Sequence, residues 1–82
     1  MREITKIILF GNDTCPPCRV AKAKMDKLGI KYEYQDVDDG KEAGEYGIQS
    51  IPFMIIKYSN TDVELVPPNE VFMKILDLSN VK

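Results

Sequence analysis

The residues best equipped for chemistry are Cys15 and Cys18, the only two cysteines among 82 residues. They stand in Thr14-Cys15-Pro16-Pro17-Cys18, after the apolar run Ile7–Phe10 and before a run of helical period. A thiolate, not a thiol, attacks a disulfide. Cys-x-x-Cys at a strand-to-helix junction has the spacing of a dithiol redox pair, because residues three apart share a helix face. Cys15 falls at the helix start, where unpaired N–H groups and the helix dipole favour negative charge. It is therefore expected to be the attacking sulfur. Cys18 lies one turn deeper and is expected to keep its proton until needed. In the expected cycle Cys15 opens a substrate disulfide and forms a mixed disulfide. Cys18 then attacks Cys15, which releases reduced substrate and leaves Cys15–Cys18 oxidised. Pro16 and Pro17 stiffen the intervening turn and remove two N–H donors near the sulfurs.

Two plainer readings of the pair stand beside this one. Structural zinc takes four ligands, and the chain offers no His and no further Cys, so two chains would have to share one ion. No metal is expected. A purely structural disulfide would close too short a loop to stabilise much by the chain-entropy model.

The bulk composition sets limits on the surroundings. The chain is 44% hydrophobic and 29% charged, with net charge −2 and both signs interspersed. That is ordinary for one small globular domain over residues 1–82. It offers no basic face for nucleic acid and no pull toward an anionic membrane. No run approaches the roughly 18–20 apolar residues of a membrane span, and the apolar run near the N-terminus is too short for a signal peptide. A cytoplasmic location is expected, and there a cysteine pair is more often catalytic or metal-binding than a permanent staple. Nothing demands a dimer, so a monomer is expected.

The elements that must position the pair can be read in order. Ile4–Phe10 is rich in β-branched and aromatic residues, and its apolar end suits a central strand. Gly11-Asn12-Asp13 is a turn, with Asp13 read as a solvated turn residue rather than a proton relay. Thr14 is the expected N-cap, with Pro16 and Pro17 in the first helical turn. From Arg19 to Leu28 the pattern is helical, with Ala21, Met25 and Leu28 on one face and Val20 beside it. Gly29 fits the position after the helix. Lys22, Lys24 and Lys27 read as a solvated face. Ile30–Val37 reads as a second strand. Asp39 and Glu42 have capping-box spacing for a short helix through Tyr46, closed by Gly47. Phe53–Tyr58 and Val63–Val66 read as third and fourth strands joined as a hairpin by residues 59–62. Asn69 is the expected cap of a last helix from Glu70 to about Leu78, with Val71, Ile75 and Leu78 inward and Phe72 and Leu76 beside them. Met25, Met54 and Met73 are expected in the core. The order β-α-β-(α)-β-β-α makes the first two strands parallel and the last two antiparallel, in an α/β fold with a mixed four-stranded sheet.

These stretches together resemble the small thioredoxin/glutaredoxin-like redoxins, over nearly the whole chain. The resemblance rests on Cys15-Pro16-Pro17-Cys18 after the first strand and on Tyr46-Gly47-Ile48-Gln49-Ser50-Ile51-Pro52 before the third. It implies the thioredoxin fold and a dithiol–disulfide oxidoreductase that reduces protein disulfides. It also implies a cis Ile51–Pro52 bond beside the cysteines, with the Ile51 backbone pairing with an extended substrate segment. Thr14, Pro16 and Pro17 would complete the substrate surface. No bound cofactor is implied, since the Cys15–Cys18 pair itself carries the electrons. The implied partners are a disulfide-containing protein substrate, with ribonucleotide reductase as one recipient, and a thioredoxin-reductase-like enzyme or glutathione as electron donor.

Several positions depart from the family patterns. Thr14 stands where thioredoxins usually carry Trp. Leu9 stands where they carry a buried Asp, and Tyr34 falls near their buried Lys, so no proton acceptor for Cys18 is evident. Glutathione-binding glutaredoxins show Gly-Gly and an acidic residue before the last helix, where this chain reads Val66-Pro67-Pro68-Asn69-Glu70. That counts against glutathione. A glutathione-dependent glutaredoxin is the second expectation, and an interaction module of the same fold, with cysteines incidental to partner binding, is the third.

Overall fold

Four consecutive apolar residues, Ile7 to Phe10, suit a strand covered on both faces. The computed structural model, which describes residues 3–12, 14–38, 44–48 and 50–80, places them so. They lie in β1 (Ile4–Gly11), followed by α1 (Pro16–Lys27), β2 (Glu33–Asp36), β3 (Phe53–Tyr58), β4 (Val63–Val66) and α2 (Pro68–Asn80). The sheet order is β2-β1-β3-β4. β1 pairs in parallel with β2 and antiparallel with β3, and β3 pairs antiparallel with β4. This is the mixed four-stranded sheet expected.

Alternation along β1 divides the core between two faces. Ile7 and Leu9 pack with Met54 and Ile56 of β3, Ala21 and Met25 of α1, and Val71 and Ile75 of α2. Both helices thus cover one face. Ile8, Phe10 and Ile55 point the other way and are covered by Ile48, with Val37, Tyr46, Ile51 and Phe53 around them. Each large apolar side chain buried in this way stabilises the fold by roughly 1.5–3 kcal/mol. Met25 and Met54 are core residues, but Met73 is 69% exposed, as are Val20, Leu28 and Leu76 in lesser measure. On a short helix lying on one sheet face, the inward stripe is narrow, and here Val71 and Ile75 fill it.

The element ends differ from expectation for local reasons. β2 is shorter than Ile30–Val37. The Ile30 N–H is taken by Met25 O at 3.0 Å, closing α1 around Gly29 at φ +72°. At the other end the Asp38 N–H bonds the Asp36 carboxylate at 2.8 Å and turns the chain. α2 starts at Pro68, not after an Asn69 cap, because proline's fixed φ suits a first helical turn. It runs on to Asn80, past Leu78. The short helix expected from Asp39 to Tyr46 lies mostly outside the described residues, as does Asp13. Gly44 and Glu45 are helical, and Gly47 has φ +65°. Among the described residues no helix is long and apolar enough to cross a membrane.

Candidate functional site

The site begins where β1 ends. Asn12 accepts hydrogen bonds through its side-chain oxygen from the Thr14 N–H at 3.0 Å and the Thr14 hydroxyl at 3.1 Å. Thr14 is therefore part of this turn and is not the helix cap. The cap is Cys15, in extended conformation at φ −104° and ψ 101°. A residue before proline is driven out of the helical region, so Pro16 fixes the helix start one residue later than the Thr14 reading allows. Pro16 and Pro17 then occupy the first two helical positions and carry no N–H. The first N–H of the helix belongs to Cys18, and it donates to Cys15 Sγ at 3.2 Å. An N-cap normally accepts through oxygen; here sulfur takes that place.

Cys15 and Cys18 form a disulfide, with their Cα atoms 5.3 Å apart. Cys15 is half-buried and Cys18 fully buried. One cysteine is thus partly open to solvent and the other closed to it. The helix N-terminus favours negative charge on Cys15, and burial disfavours it on Cys18. This asymmetry is what sequential attack and resolution need.

The second expected element stands at the same end of the sheet. Ile51–Pro52 is cis. The register that pairs Phe10 with Phe53 brings Pro52 level with Gly11, where the cysteine loop leaves β1. Pro52 is buried and Ile51 half-buried. Pro16, Pro17 and Thr14 are exposed around the disulfide. The cysteine turn and the cis proline therefore meet at one sheet end, on adjacent strands.

Two residues, Gly11 read as part of a turn and Tyr34 read as standing near the family's buried Lys, lie near Cys18. A Cβ built on Gly11 would lie 2.6 Å from Tyr34 Oη, 2.8 Å from Cys18 Cβ and 3.0 Å from Cys18 Sγ. The absence of a side chain at Gly11 is what admits both groups. The available signal was a glycine ending an apolar strand, which often marks close approach of other atoms. Spacing alone does not bring Tyr34 to Gly11; the family pattern marks it as standing near the buried Lys position, and the β1–β2 register places it there. Lys22, read as part of a solvated face, lies with Nζ 4.8 Å from the centre of the Tyr34 ring. Nearby, Tyr32 donates a hydrogen bond to Asp26 at 2.8 Å. Burial, then that hydrogen bond, push its hydroxyl up to about 12.

Comparison with known proteins agrees with this architecture. The chain is similar in structure to a thioredoxin from Trypanosoma brucei brucei, with TM-score 0.71 and 22% identity over 89% of this chain and 70% of that one. Thioredoxin 1 of Thermosipho africanus aligns with TM-score 0.60 and 20% identity, covering 94% of this chain and 100% of that one. Trichomonas vaginalis thioredoxin gives TM-score 0.60 and 16% identity over 88% and 77%. At these identities the likeness is one of fold, the thioredoxin fold. No curated protein matches the chain in sequence. The glutaredoxin family model matches residues 7–54, which span β1, both cysteines and the cis proline. The chain is a thiol–disulfide oxidoreductase by fold and cysteine pair, and it belongs to the glutaredoxin family.

Proposed function

We propose that this protein reduces disulfides in other proteins, with Cys15 as the attacking thiolate and Cys18 as the resolving thiol. The observation that carries the reading is the Cys15 sulfur seated as the cap of α1, taking the Cys18 N–H, while Cys18 itself is buried. Charge on the outer sulfur is supported, and the inner one is sheltered from outside attack. Ile51 and Pro52 then hold an extended substrate segment beside Cys15, with Thr14, Pro16 and Pro17 at its edge. The cysteine pair alone carries the two electrons, without a bound cofactor. The protein acts as a cytoplasmic monomer, and ribonucleotide reductase is a suitable recipient.

The electron donor in this reading is a thioredoxin-reductase-like enzyme. At the head of α2, Pro67 and Pro68 offer no N–H to a peptide carboxylate, and the Glu70 N–H is turned back to Pro67 O at 2.9 Å. Family membership alone would favour glutathione, so the two donors need a direct contest. Insulin reduction is measured with NADPH and thioredoxin reductase in one arm, and with NADPH, glutathione and glutathione reductase in the other. Turnover in the first arm only is expected. Turnover in the second would replace this donor with glutathione. Failure in both, with both thiols reduced and accessible, would mean either a dedicated reductase or an interaction module, and a Cys15→Ser/Cys18→Ser double variant that keeps its cellular role would establish the latter.

A further inference from the structure

Cys18 must carry negative charge in both directions of exchange. It does so as the attacker that closes the disulfide and as the sulfur expelled when a donor thiol opens it. It is fully closed to solvent, which disfavours that charge. A hydrogen-bond donor aimed at the sulfur would offset this.

Tyr34 brings a side-chain donor to this place. Its hydroxyl and the Cys18 sulfur lie 2.6 Å and 3.0 Å from one point above the Gly11 backbone, the place a side chain there would fill. β2 sets the reach, since Tyr34 pairs with Leu9 in the parallel register and packs on the same face as Ala21 and Met25. α1 sets the direction, since Lys22 lies over the ring one turn beyond Cys18. A cation over the ring face restrains the ring. We propose that the Tyr34 hydroxyl donates a hydrogen bond to the Cys18 thiolate and so speeds resolution of the mixed disulfide. This rests on the dithiol reading above.

The step balances without any further reactant. Cys15 thiolate attacks a substrate disulfide, forming Cys15–S–S–R and releasing the first substrate thiolate, which takes a proton from water. The Cys18 thiol passes its proton to the departing second substrate sulfur as its own sulfur attacks Cys15. The Cys15–Cys18 bond forms, the Cys15–R bond breaks, and the second substrate thiol leaves with a proton. The cysteine pair loses two electrons and the substrate disulfide gains them. Tyr34 keeps its proton throughout. Among the described residues, Lys22 of α1 lies over the ring, Tyr32 interacts with Tyr34 electrostatically, and Asp36 of β2 is the ladder partner of Gly11. β1 contributes none at Gly11, and Ile51, Pro52 and Phe53 contribute none. All of these are kept in the test variant.

The test is Tyr34→Phe in the full chain, which removes one oxygen and leaves the ring under Lys22. The reduced protein is mixed with dithiobis(nitrobenzoate), which releases one coloured thiolate on attack by Cys15 and a second on resolution by Cys18. The first release is expected to match the parent protein. The second is expected to slow about tenfold near neutral pH, with its pH dependence moved up by about one pH unit. Equal second-phase rates in both proteins across the pH range would overturn the role of Tyr34. No second release from the parent would instead overturn the dithiol reading, and this proposal with it. In the reduced parent protein, the Tyr34 ring-carbon resonance next to the oxygen is expected to shift in step with the Cys18 titration. That measurement needs no variant, and a Tyr34 resonance indifferent to Cys18 would also overturn the proposal.

Discussion

At Gly11 one added methyl group would press on Tyr34 Oη, Cys18 Cβ and Cys18 Sγ at once, the nearest at 2.6 Å. The last two belong to a buried side chain near the α1 start, so relief requires moving the helix or the strand. Gly11→Ala is therefore expected to lower stability by about 1–3 kcal/mol, the usual cost of overpacking, in urea denaturation of the oxidised protein. An unchanged midpoint would mean that α1 shifts freely. The same contact shows where residue-level reading stopped. Cys15 and Cys18 were legible because their relation is local, three residues along one helix. Gly11, Cys18 and Tyr34 meet through a parallel crossover, and no spacing in the sequence encodes that pairing. Ile51-Pro52 was legible only through the family resemblance. Met73 was misread because helical period places a residue near a face without saying how wide the covered stripe is.

Among the elements, α1 is held at both ends by groups of different kinds. At its head the cap is sulfur, and at its tail Tyr32 reaches from the approach to β2 to bond Asp26 at 2.8 Å. Tyr32 holds its proton more tightly in the folded chain, to about 12 against an ordinary 10.0. Its contribution is therefore complete below pH 10 and is lost as the pH rises through about 12. Tyr32→Phe is expected to cost about 1 kcal/mol at neutral pH, typical of one hydrogen bond. It should also show a shallower fall in thermal stability between pH 10 and 12 than the parent protein. Lys74 titrates in the same direction, raised first by its hydrogen bond to Glu64, an ion pair of 2.7 Å joining α2 to β4. That pair is common to both proteins, so the difference between the two curves isolates Tyr32. Parallel curves would show that the Asp26 bond does not favour the folded state. Element type and order followed from periodicity, whereas element ends did not. Cys15 displaced Thr14 as cap through the restraint of Pro16, and β2 lost Ile30 to the closing turn of α1.

For the whole molecule, the sheet order decides which part is last to open. β1 and β3 each have a strand on both sides and supply buried residues to both core faces. β2 and β4 are edges, and the helices cover one face only. Amide exchange in Leu9, Phe10, Ile55 and Ile56 should therefore need global unfolding, while β2 and β4 exchange through local opening. The disulfide hangs from the end of this frame, at the first turn of α1, and closes a loop of only a few residues. Reduction removes little chain restraint. Its effect on exchange is expected to be confined to the amides of Cys18 and Arg19, whose hydrogen-bond acceptors are Cys15 Sγ and Cys15 O. Protection in β1 and β3 should be the same in both redox forms, measured by native-state hydrogen exchange followed by NMR. A frame indifferent to the state of its cysteines is what repeated cycling requires, because neither half-reaction then has to reorganise the core. If reduction instead lowered protection in β1 or β3, the disulfide would be part of the fold's support, and the structural-staple reading of Cys15 and Cys18 would return.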